Sequence, residues 1–240
     1  MGSWTEFVPK PLLPVDGRPV LEHTLQMLEQ CGLHHIIIVV GYLEDRIQEF
    51  LRASVPASIE VGTVHQDEPR GSGDALNRAM SLIDRDFLVI AADTVFDPSE
   101  IKGMVECFKD SDLSALVGLK RESKGQLKGK SAVKIDPDGF VEEIIEKPQA
   151  HRAPSGISAA PVFIFSPKIR PYLEKLQPSP NGKYELATAI QNLIDNEGKV
   201  KGYFLSNLRH ITTPTDLLRE NFPYLRKLLN NTQQFPTIDI

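Results

Sequence analysis

The sequence predicts an α/β fold in which a Rossmann-like, mostly parallel sheet is flanked by helices. Two short all-apolar runs, residues 36–40 and 87–92, are typical of strands buried on both faces of a parallel sheet. Segments with apolar residues at helical spacing lie between these two runs and the other predicted strands. This alternation predicts parallel strands that are joined by helical crossovers.

The helices follow from apolar periodicity and from stop signals. In the first helix, Leu21, Leu25 and Leu28 share one face, and Gly32 ends the helix. Seven helices are predicted on this basis, over residues 19–32, 43–53, 71–83, 99–110, 166–176, 184–196 and 214–229.

The strands follow from short apolar runs that are bounded by turn residues. Residues 133–144 are predicted to form two strands around a Pro-Asp-Gly turn. The other predicted strands cover residues 36–40, 59–66, 87–92, 113–119, 157–165 and 200–205.

Composition predicts one domain over residues 1–230 and a polar, loosely ordered tail over residues 231–240. With 41% hydrophobic residues, the 240-residue chain can bury a single core. The net charge of -5 excludes a general nucleic-acid or membrane-surface binder. Any binding of phosphate must therefore be local.

The sequence also bears on the cellular compartment. No apolar run approaches the roughly 18 residues that span a bilayer, and no signal peptide opens the chain. Cys31 and Cys107 lie far apart and are expected to be buried free thiols. These features predict a cytoplasmic protein, and they leave open whether it forms a homo-oligomer or joins a partner subunit.

Asp93 is the first candidate for a functional residue. It follows the apolar run 87–92, at the kind of strand end where open α/β sheets bind ligands. A carboxylate there can hold Mg²⁺, which in turn bridges phosphate oxygens. The alternative is an ordinary turn that begins with an aspartate.

A small-residue loop is the second candidate. Gly71-Ser72-Gly73 lets a ligand approach the backbone, and its N–H groups suit an anion or a base edge. Gln66, at the end of the preceding strand, offers an amide that can read a nucleobase. The alternative is a tight turn in which Ser72 is the N-cap.

Two lysines next to prolines are the third candidates. Lys10 lies between Pro9 and Pro11, and Lys147 precedes Pro148. We expect a rigid backbone at Lys10 and an extended one at Lys147, from which either ammonium can contact a phosphate. A rigid linker and a solvated surface lysine are the respective alternatives.

Several motifs recur in a characteristic order along nearly the whole chain. They are Pro9-Lys10-Pro11 before a helix, Gly41-Tyr42, Gln66 with Gly71-Ser72-Gly73-Asp74-Ala75, Asp93, Glu146-Lys147-Pro148, Tyr184-Glu185-Leu186 and Thr213-Pro214-Thr215-Asp216-Leu217. Their order and spacing resemble the sugar-1-phosphate nucleotidyltransferases, which include glucose-1-phosphate thymidylyl- and uridylyltransferases and mannose-1-phosphate guanylyltransferases. The resemblance implies a fold of the nucleotide-diphospho-sugar transferase type.

The resemblance also implies a reaction. A sugar-1-phosphate oxygen attacks the α-phosphate of a nucleoside triphosphate, and pyrophosphate leaves. Asp93 would bind Mg²⁺, or Mn²⁺, while Lys10 would stabilise the transition state or the pyrophosphate. Gln66 and the backbone at Gly71 and Ser72 would select the base.

On the acceptor side, the resemblance assigns Glu146, Lys147 and Glu185 to the sugar phosphate. His210 stands where the family often has an aspartate that is a second metal ligand. It is therefore a candidate ligand, although imidazole suits softer metals better than Mg²⁺.

Other positions depart from the family pattern. The family's first central strand and its glycine-rich triphosphate loop have no counterpart ahead of Pro9, so this strand is expected to be missing. The family's Asn-x-Gly element is Ala159-Ala160-Pro161, and its Thr-Asp after Tyr-Glu-Leu is Ala187-Thr188.

Three functions are therefore compatible with the sequence. The first is a nucleotidyltransferase that acts on a sugar-1-phosphate. The second is a catalytically impaired homologue that binds a nucleotide or sugar nucleotide and regulates a partner. The third is a transferase for a non-standard phosphorylated acceptor.

Overall fold

The computed structural model describes residues 5–122, 127–206, 208–211 and 213–231. The expected tail beyond Asn231 lies outside the described residues. No described helix is long and apolar enough to cross a membrane.

The α-helices lie close to the predicted positions. In chain order they are α1 (Val20–Gln30), α2 (Glu44–Ser54), α3 (Ser72–Ala79), α4 (Pro98–Phe108), α5 (Arg170–Glu174), α6 (Leu186–Glu197) and α7 (Pro214–Asn231).

The strands are more numerous than predicted, because short pairs at the N-terminus and after Asp93 add to the main runs. In chain order they are β1 (Pro14–Val15), β2 (Arg18–Pro19), β3 (His35–Val40), β4 (Glu60–His65), β5 (Phe87–Ile90), β6 (Thr94–Phe96), β7 (Ala115–Arg121), β8 (Ala132–Ile135), β9 (Val141–Ile145), β10 (Ile157–Phe165), β11 (Val200–Phe204) and β12 (Leu208–His210).

Two of the predicted helices are shorter than expected. The helix that opens at Ser72 tightens into a 3-10 turn at Met80–Leu82. The predicted helix over residues 166–176 is a 3-10 turn at Pro167–Ile169 followed by α5. Two prolines in this segment, Pro167 and Pro171, have no N–H to donate to a regular helix.

The largest sheet is mixed. Its strands run in the order β11-β7-β10-β8-β9, and β5 pairs with β10. In this sheet only β11 and β7 pair in parallel. The long strand β10 runs antiparallel to β5, β7 and β8. The register between β10 and β7 shifts between Ala159 and Phe163, around Pro161, which has no N–H for the ladder.

Strands β3 and β4 form a separate parallel pair. Within the described residues, β3 is paired only with β4, and β5 only with β10. All four residues of β5 are only half-buried, as are Ile36 to Val39 of β3. Within that described part of the chain, no strand joins the β3–β4 pair to the large sheet, and the facing apolar edges stay partly exposed.

Helices cover both sides of the large sheet. On one side, α3, α5 and α6 pack over a core that includes Phe165, Ile169 and Ile190. On the other side, α4 and the end of α1 pack over a second core with Ile101 and Met104. The predicted layering of helices on both faces is therefore confirmed.

A third, smaller cluster holds the N-terminal segment in place. Leu13 and Val15 are buried with Val20, Ile211 and Leu217, the last of which lies on α7. This cluster fixes the residues that follow Lys10 against the start of the closing helix.

The two cysteines differ from each other. Both are free thiols, as predicted. The prediction of burial is wrong for Cys107, which is exposed, while Cys31 is half-buried between Met27 and the carbonyl of Pro98.

Candidate active site

The backbone around Lys10 is rigid, as expected from its prolines. Lys10–Leu12 form a 3-10 turn, in which the Leu12 N–H donates to the Pro9 carbonyl at 2.8 Å and the Leu13 N–H donates to the Lys10 carbonyl at 3.0 Å. Leu13 is buried and anchors the turn to the core. The direction in which the Lys10 side chain leaves the backbone is therefore largely fixed.

Lys10 and Asp93, which were proposed separately from the sequence, form an ion pair. The Lys10 ammonium donates to Asp93 Oδ2 at 3.0 Å, and the two side chains are 35% and 22% exposed. Asp93 lies just past β5, at the end of the strand where it was predicted. Because partly exposed ion pairs contribute at most about 1 kcal/mol, another cation can replace the ammonium at little cost.

The backbone of His210 also lies beside this pair. Strand β12 runs antiparallel to β6, with His210 opposite Thr94, and the Ile211 N–H donates to the Asp93 carbonyl at 2.9 Å. The side chain of His210 lies outside the described part of the structure, so its expected role as a metal ligand stays a prediction.

The donor set around Asp93 fits a weakly held divalent cation. Within the described ranges there is no group of three or more His, Cys, Asp or Glu side chains that could hold a metal. Mg²⁺ does not require such a group, since it keeps several waters and is often bound by one or two carboxylates together with substrate phosphates. The single Asp93 carboxylate, already paired with a cation, meets that requirement.

The loop between β4 and α3 brings Gln66 to Gly71. The Gln66 N–H donates to the Val40 carbonyl at 2.7 Å, so Gln66 continues the pairing of β4 with β3. Its side-chain amide nitrogen donates to the Gly71 carbonyl at 3.3 Å and to Asp74 Oδ2 at 2.7 Å. The two residues predicted to select a base are therefore in direct contact.

The backbone conformation at position 71 and its close contact with Tyr184 require a glycine. Its φ of +116° is rare for residues with a side chain, and an added Cβ would lie 2.5 Å from the Tyr184 carbonyl oxygen. The Tyr184 N–H donates to the Arg70 carbonyl at 2.7 Å, and the Gly73 N–H donates to the Tyr184 carbonyl at 2.9 Å. The loop is thus joined tightly to the segment before α6.

The alternative interpretation of Ser72 as an N-cap is wrong. Gly71 occupies the N-cap position, and Ser72 is the first residue of α3. The Ser72 hydroxyl instead accepts a hydrogen bond from the Leu186 N–H at 3.3 Å. It adds a second connection between the loop and the start of α6.

The backbone at Lys147 is not extended, contrary to expectation. Its φ is +43°, in the left-handed region, and its N–H donates to the Lys130 carbonyl at 3.1 Å. Left-handed backbone at a residue other than glycine costs on the order of 1 kcal/mol or more and clusters at functional sites. The cross-strand bond to Lys130 helps to hold this conformation at the end of β9.

The Lys147 ammonium is paired with its neighbour. It lies 3.0 Å from Glu146 Oε1, and the other oxygen of Glu146 accepts a hydrogen bond from the Ser131 hydroxyl. The hydrogen bond and charge of Glu146, with a smaller contribution from Glu185, raise the pKa of Lys147. The lysine therefore carries its charge throughout the neutral range.

Glu185 connects the two halves of the site. It is buried and accepts a hydrogen bond from the Asn181 amide at 3.2 Å. Its neighbours Tyr184 and Leu186 are hydrogen-bonded to the loop between β4 and α3. Its charge also acts on Lys147. Segment 184–186 therefore contacts the loop predicted to bind the base and acts electrostatically on Lys147, which is predicted to bind the sugar phosphate.

Sequence reasoning missed two contributors to this site. Asp74 was noticed as a loop residue but was given no role, and Arg78 was not noticed. They form an ion pair at 3.1 Å across one turn of α3. The i, i+4 spacing of opposite charges could have indicated the pair.

Comparison with known proteins identifies related sequences over most of the chain. A family model described as nucleotidyl transferase matches residues 4–218. The bifunctional protein GlmU of Methanococcus maripaludis (strain C7) is 30% identical over 227 residues, which are 94% of this chain and 52% of that protein. The UTP–glucose-1-phosphate uridylyltransferase AglF of Haloferax volcanii is 30% identical over 191 residues, which are 79% of this chain and 76% of AglF. The chain thus spans only about half the length of GlmU.

The fold is similar to that of a solved UDP-glucose pyrophosphorylase in complex with UDP-glucose. The TM-score is 0.86 at 19% identity, over 95% of this chain and 94% of that one. This similarity confirms the predicted fold class.

Proposed function

Because the chain belongs to the nucleotidyl transferase family, we propose that it transfers a nucleoside monophosphate from a nucleoside triphosphate to a sugar-1-phosphate. The observation that carries the proposal is the Lys10–Asp93 ion pair beyond the end of β5. It combines a fixed cation with a carboxylate that can hold a metal, which is what a reacting triphosphate needs. We further propose that residues 1–230 form one nucleotidyltransferase domain.

The chemistry requires positioning and charge neutralisation more than a covalent group. An oxygen of the sugar-1-phosphate forms a bond to the α-phosphorus, and the bond from that phosphorus to the pyrophosphate oxygen breaks. Mg²⁺, or Mn²⁺, held by Asp93 would neutralise charge on the α-phosphate. With Asp93 holding the metal, the Lys10 ammonium would be available to contact the phosphates.

The other residues hold the two substrates. Gln66 and the backbone N–H groups of Gly71 and Ser72 face the nucleobase. Lys147 binds the acceptor phosphate, with Glu146 fixing the position of its ammonium. Buried Glu185 accepts hydrogen bonds from the sugar hydroxyls.

The proposal is tested by measuring pyrophosphate release from the purified chain with Mg²⁺. Each of the common nucleoside triphosphates is paired with each of a panel of sugar-1-phosphates. We expect release that depends on both substrates and that stops when the metal is chelated. Absence of release with every pair contradicts the proposal; bound nucleotide without release would instead indicate the regulatory homologue.

One observation favours a different acceptor as a second candidate function. The bulged part of β10 carries Ala159-Ala160-Pro161, which supplies no side-chain hydrogen bond. A transferase for another phosphorylated acceptor would need fewer polar contacts to a sugar ring. Including phosphorylated alcohols and amino-sugar phosphates in the same panel distinguishes this function from the first.

A further inference from the structure

The ion pair between Lys130 and Glu122 has a buried carboxylate. The Lys130 ammonium donates to Glu122 Oε1 at 2.7 Å, and the two side chains are 39% and 2% exposed. The hydroxyl of Ser158, a buried residue of β10, donates to the same oxygen at 2.7 Å. Glu122 directly follows β7 in the chain, so its carboxylate joins the end of β7 to β10 and to Lys130.

Lys130 also holds the backbone of Lys147. Its carbonyl accepts the Lys147 N–H at 3.1 Å. The next residue, Ser131, donates its hydroxyl to the Glu146 carboxylate. Residues 130–131 therefore contact both Glu146 and Lys147, the pair that is proposed to meet the acceptor phosphate.

Residues 130–131 are attached to the large sheet from two sides. The Ser131 carbonyl accepts the Ala159 N–H at 2.9 Å, which connects Ser131 to β10. Lys130 lies one residue further from β8, and its side chain connects it to Glu122. The position of the Lys130 carbonyl therefore depends on the Glu122 carboxylate.

Burial of the Glu122 carboxylate is costly by itself. A buried ion pair is often no more stabilising than apolar side chains of the same size, so stability alone explains this pair poorly. The left-handed backbone of Lys147 is also unfavourable by itself and persists only where its surroundings hold it. A fixed position for Lys130 accounts for both features.

We propose that Glu122 is a positioning residue for the acceptor phosphate. By holding Lys130, it maintains the left-handed backbone of Lys147 and thereby the direction in which the Lys147 ammonium leaves the chain. The inference rests on the proposed function, in which Lys147 binds the acceptor phosphate. It adds a residue at the end of β7 that acts on the acceptor through Lys147.

The test measures kcat and KM for both substrates in the wild type and in Glu122→Gln, which keeps the shape of the side chain but removes its charge. We expect KM for the sugar-1-phosphate to rise about 5-fold, with kcat and KM for the nucleoside triphosphate within about 2-fold of the wild-type values. An unchanged KM for the sugar-1-phosphate, or an equal rise in both KM values, overturns the inference.

A double-mutant cycle separates positioning from a general loss of stability. If Glu122 acts through Lys147, adding Glu122→Gln to Lys147→Met should raise KM for the sugar-1-phosphate no further. If the two effects instead multiply, Glu122 acts independently of Lys147 and the inference is wrong. Should Glu122→Gln fail to fold, Lys130→Met breaks the same ion pair from its partly exposed end and takes its place in the cycle.

Glu142→Gln is the matched control. Glu142 pairs with Lys134 at 2.7 Å in the same hairpin, between β9 and β8, and both side chains are half-exposed. The variant removes one charge from a lysine–glutamate pair that is farther from Lys147, so neither KM should change. A rise equal to that of Glu122→Gln would mean that the charge of the hairpin matters, and would overturn the specific role of Glu122.

The two proposals can fail separately. If no substrate pair yields pyrophosphate, the proposed function fails, and hydrogen exchange of the Lys147 amide, followed by NMR, still tests the positioning. This amide donates to the Lys130 carbonyl, so its exchange should be about 5-fold faster in Glu122→Gln and unchanged in Glu142→Gln. Equal exchange in the wild type and in Glu122→Gln overturns the inference, whether or not the chain is active.

Discussion

Two lysine–carboxylate pairs lie in the candidate active site, and they are built in opposite ways. Lys10 reaches Asp93 across 83 positions of sequence from a relaxed turn between prolines. Lys147 pairs with the adjacent Glu146 from a left-handed backbone, and its side chain is more exposed, 54% against 35%. The first pair is created by the fold, whereas the second is created locally and then held in place by Lys130 and Ser131, just before β8.

This difference suggests what each pair does. In the first pair the carboxylate is the group that can take a new partner, because a metal can replace the ammonium. In the second pair the lysine is the group that meets a ligand, since Glu146 is held from behind by Ser131. We therefore expect the first pair to control the chemical step and the second to control binding of the acceptor.

The largest expected effect comes from removing the carboxylate that is proposed to hold the metal. Asp93→Asn keeps the shape of the side chain but removes the charge, and it should lower kcat for pyrophosphate release by about 10³-fold, since metal stabilisation of phosphoryl charge is worth several kcal/mol. Asp84→Asn, a fully exposed carboxylate paired with Arg85, is the control. Equal activity in Asp93→Asn and in the control would contradict the expectation that the Lys10–Asp93 pair controls the chemical step.

A smaller effect should separate the two lysines. Lys10→Met should lower kcat about 10²-fold, whereas Lys147→Met should raise KM for the sugar phosphate about 10-fold with a smaller change in kcat, because each removes one charge contact to phosphate at a different stage. Steady-state kinetics with each substrate varied in turn measures the split. Identical kinetic changes in the two variants would show that the pairs act at the same step.

The smallest effect concerns pH. Glu146 raises the pKa of Lys147, so the ammonium is fully present below the ordinary lysine value and is lost only as the pH rises through the raised one. Glu146→Gln should move the alkaline loss of sugar-phosphate binding to lower pH. Glu142→Gln, which removes the analogous partner of Lys134 outside the site, should leave that profile unchanged. A profile that is the same in wild type and Glu146→Gln would mean that Lys147 is not the titrating group.

Much of the fold could be predicted because its signals are local. The all-apolar run at residues 36–40 and the spacing of Leu21, Leu25 and Leu28 identify β3 and α1 within a residue or two. The direction of β10 could not be predicted, because an apolar strand has the same pattern in parallel and antiparallel pairing. The sheet is therefore mixed where the alternation of elements indicated mostly parallel strands.

The site could be predicted as a set of residues but not as a set of contacts. Residue type and strand ends pointed to Asp93, Gln66 and Lys147. The partner of Asp93 and the left-handed backbone of Lys147 depend on tertiary contacts that no local pattern contains. The contact between Asp74 and Arg78 is the exception, because the i, i+4 spacing of their opposite charges can be read from the sequence.

The fit between Gly71 and Tyr184 has a consequence for engineering. A methyl group at position 71 would meet backbone atoms, which cannot move aside as a flexible side chain can. Saturation libraries of the loop between β4 and α3 should therefore keep this glycine constant.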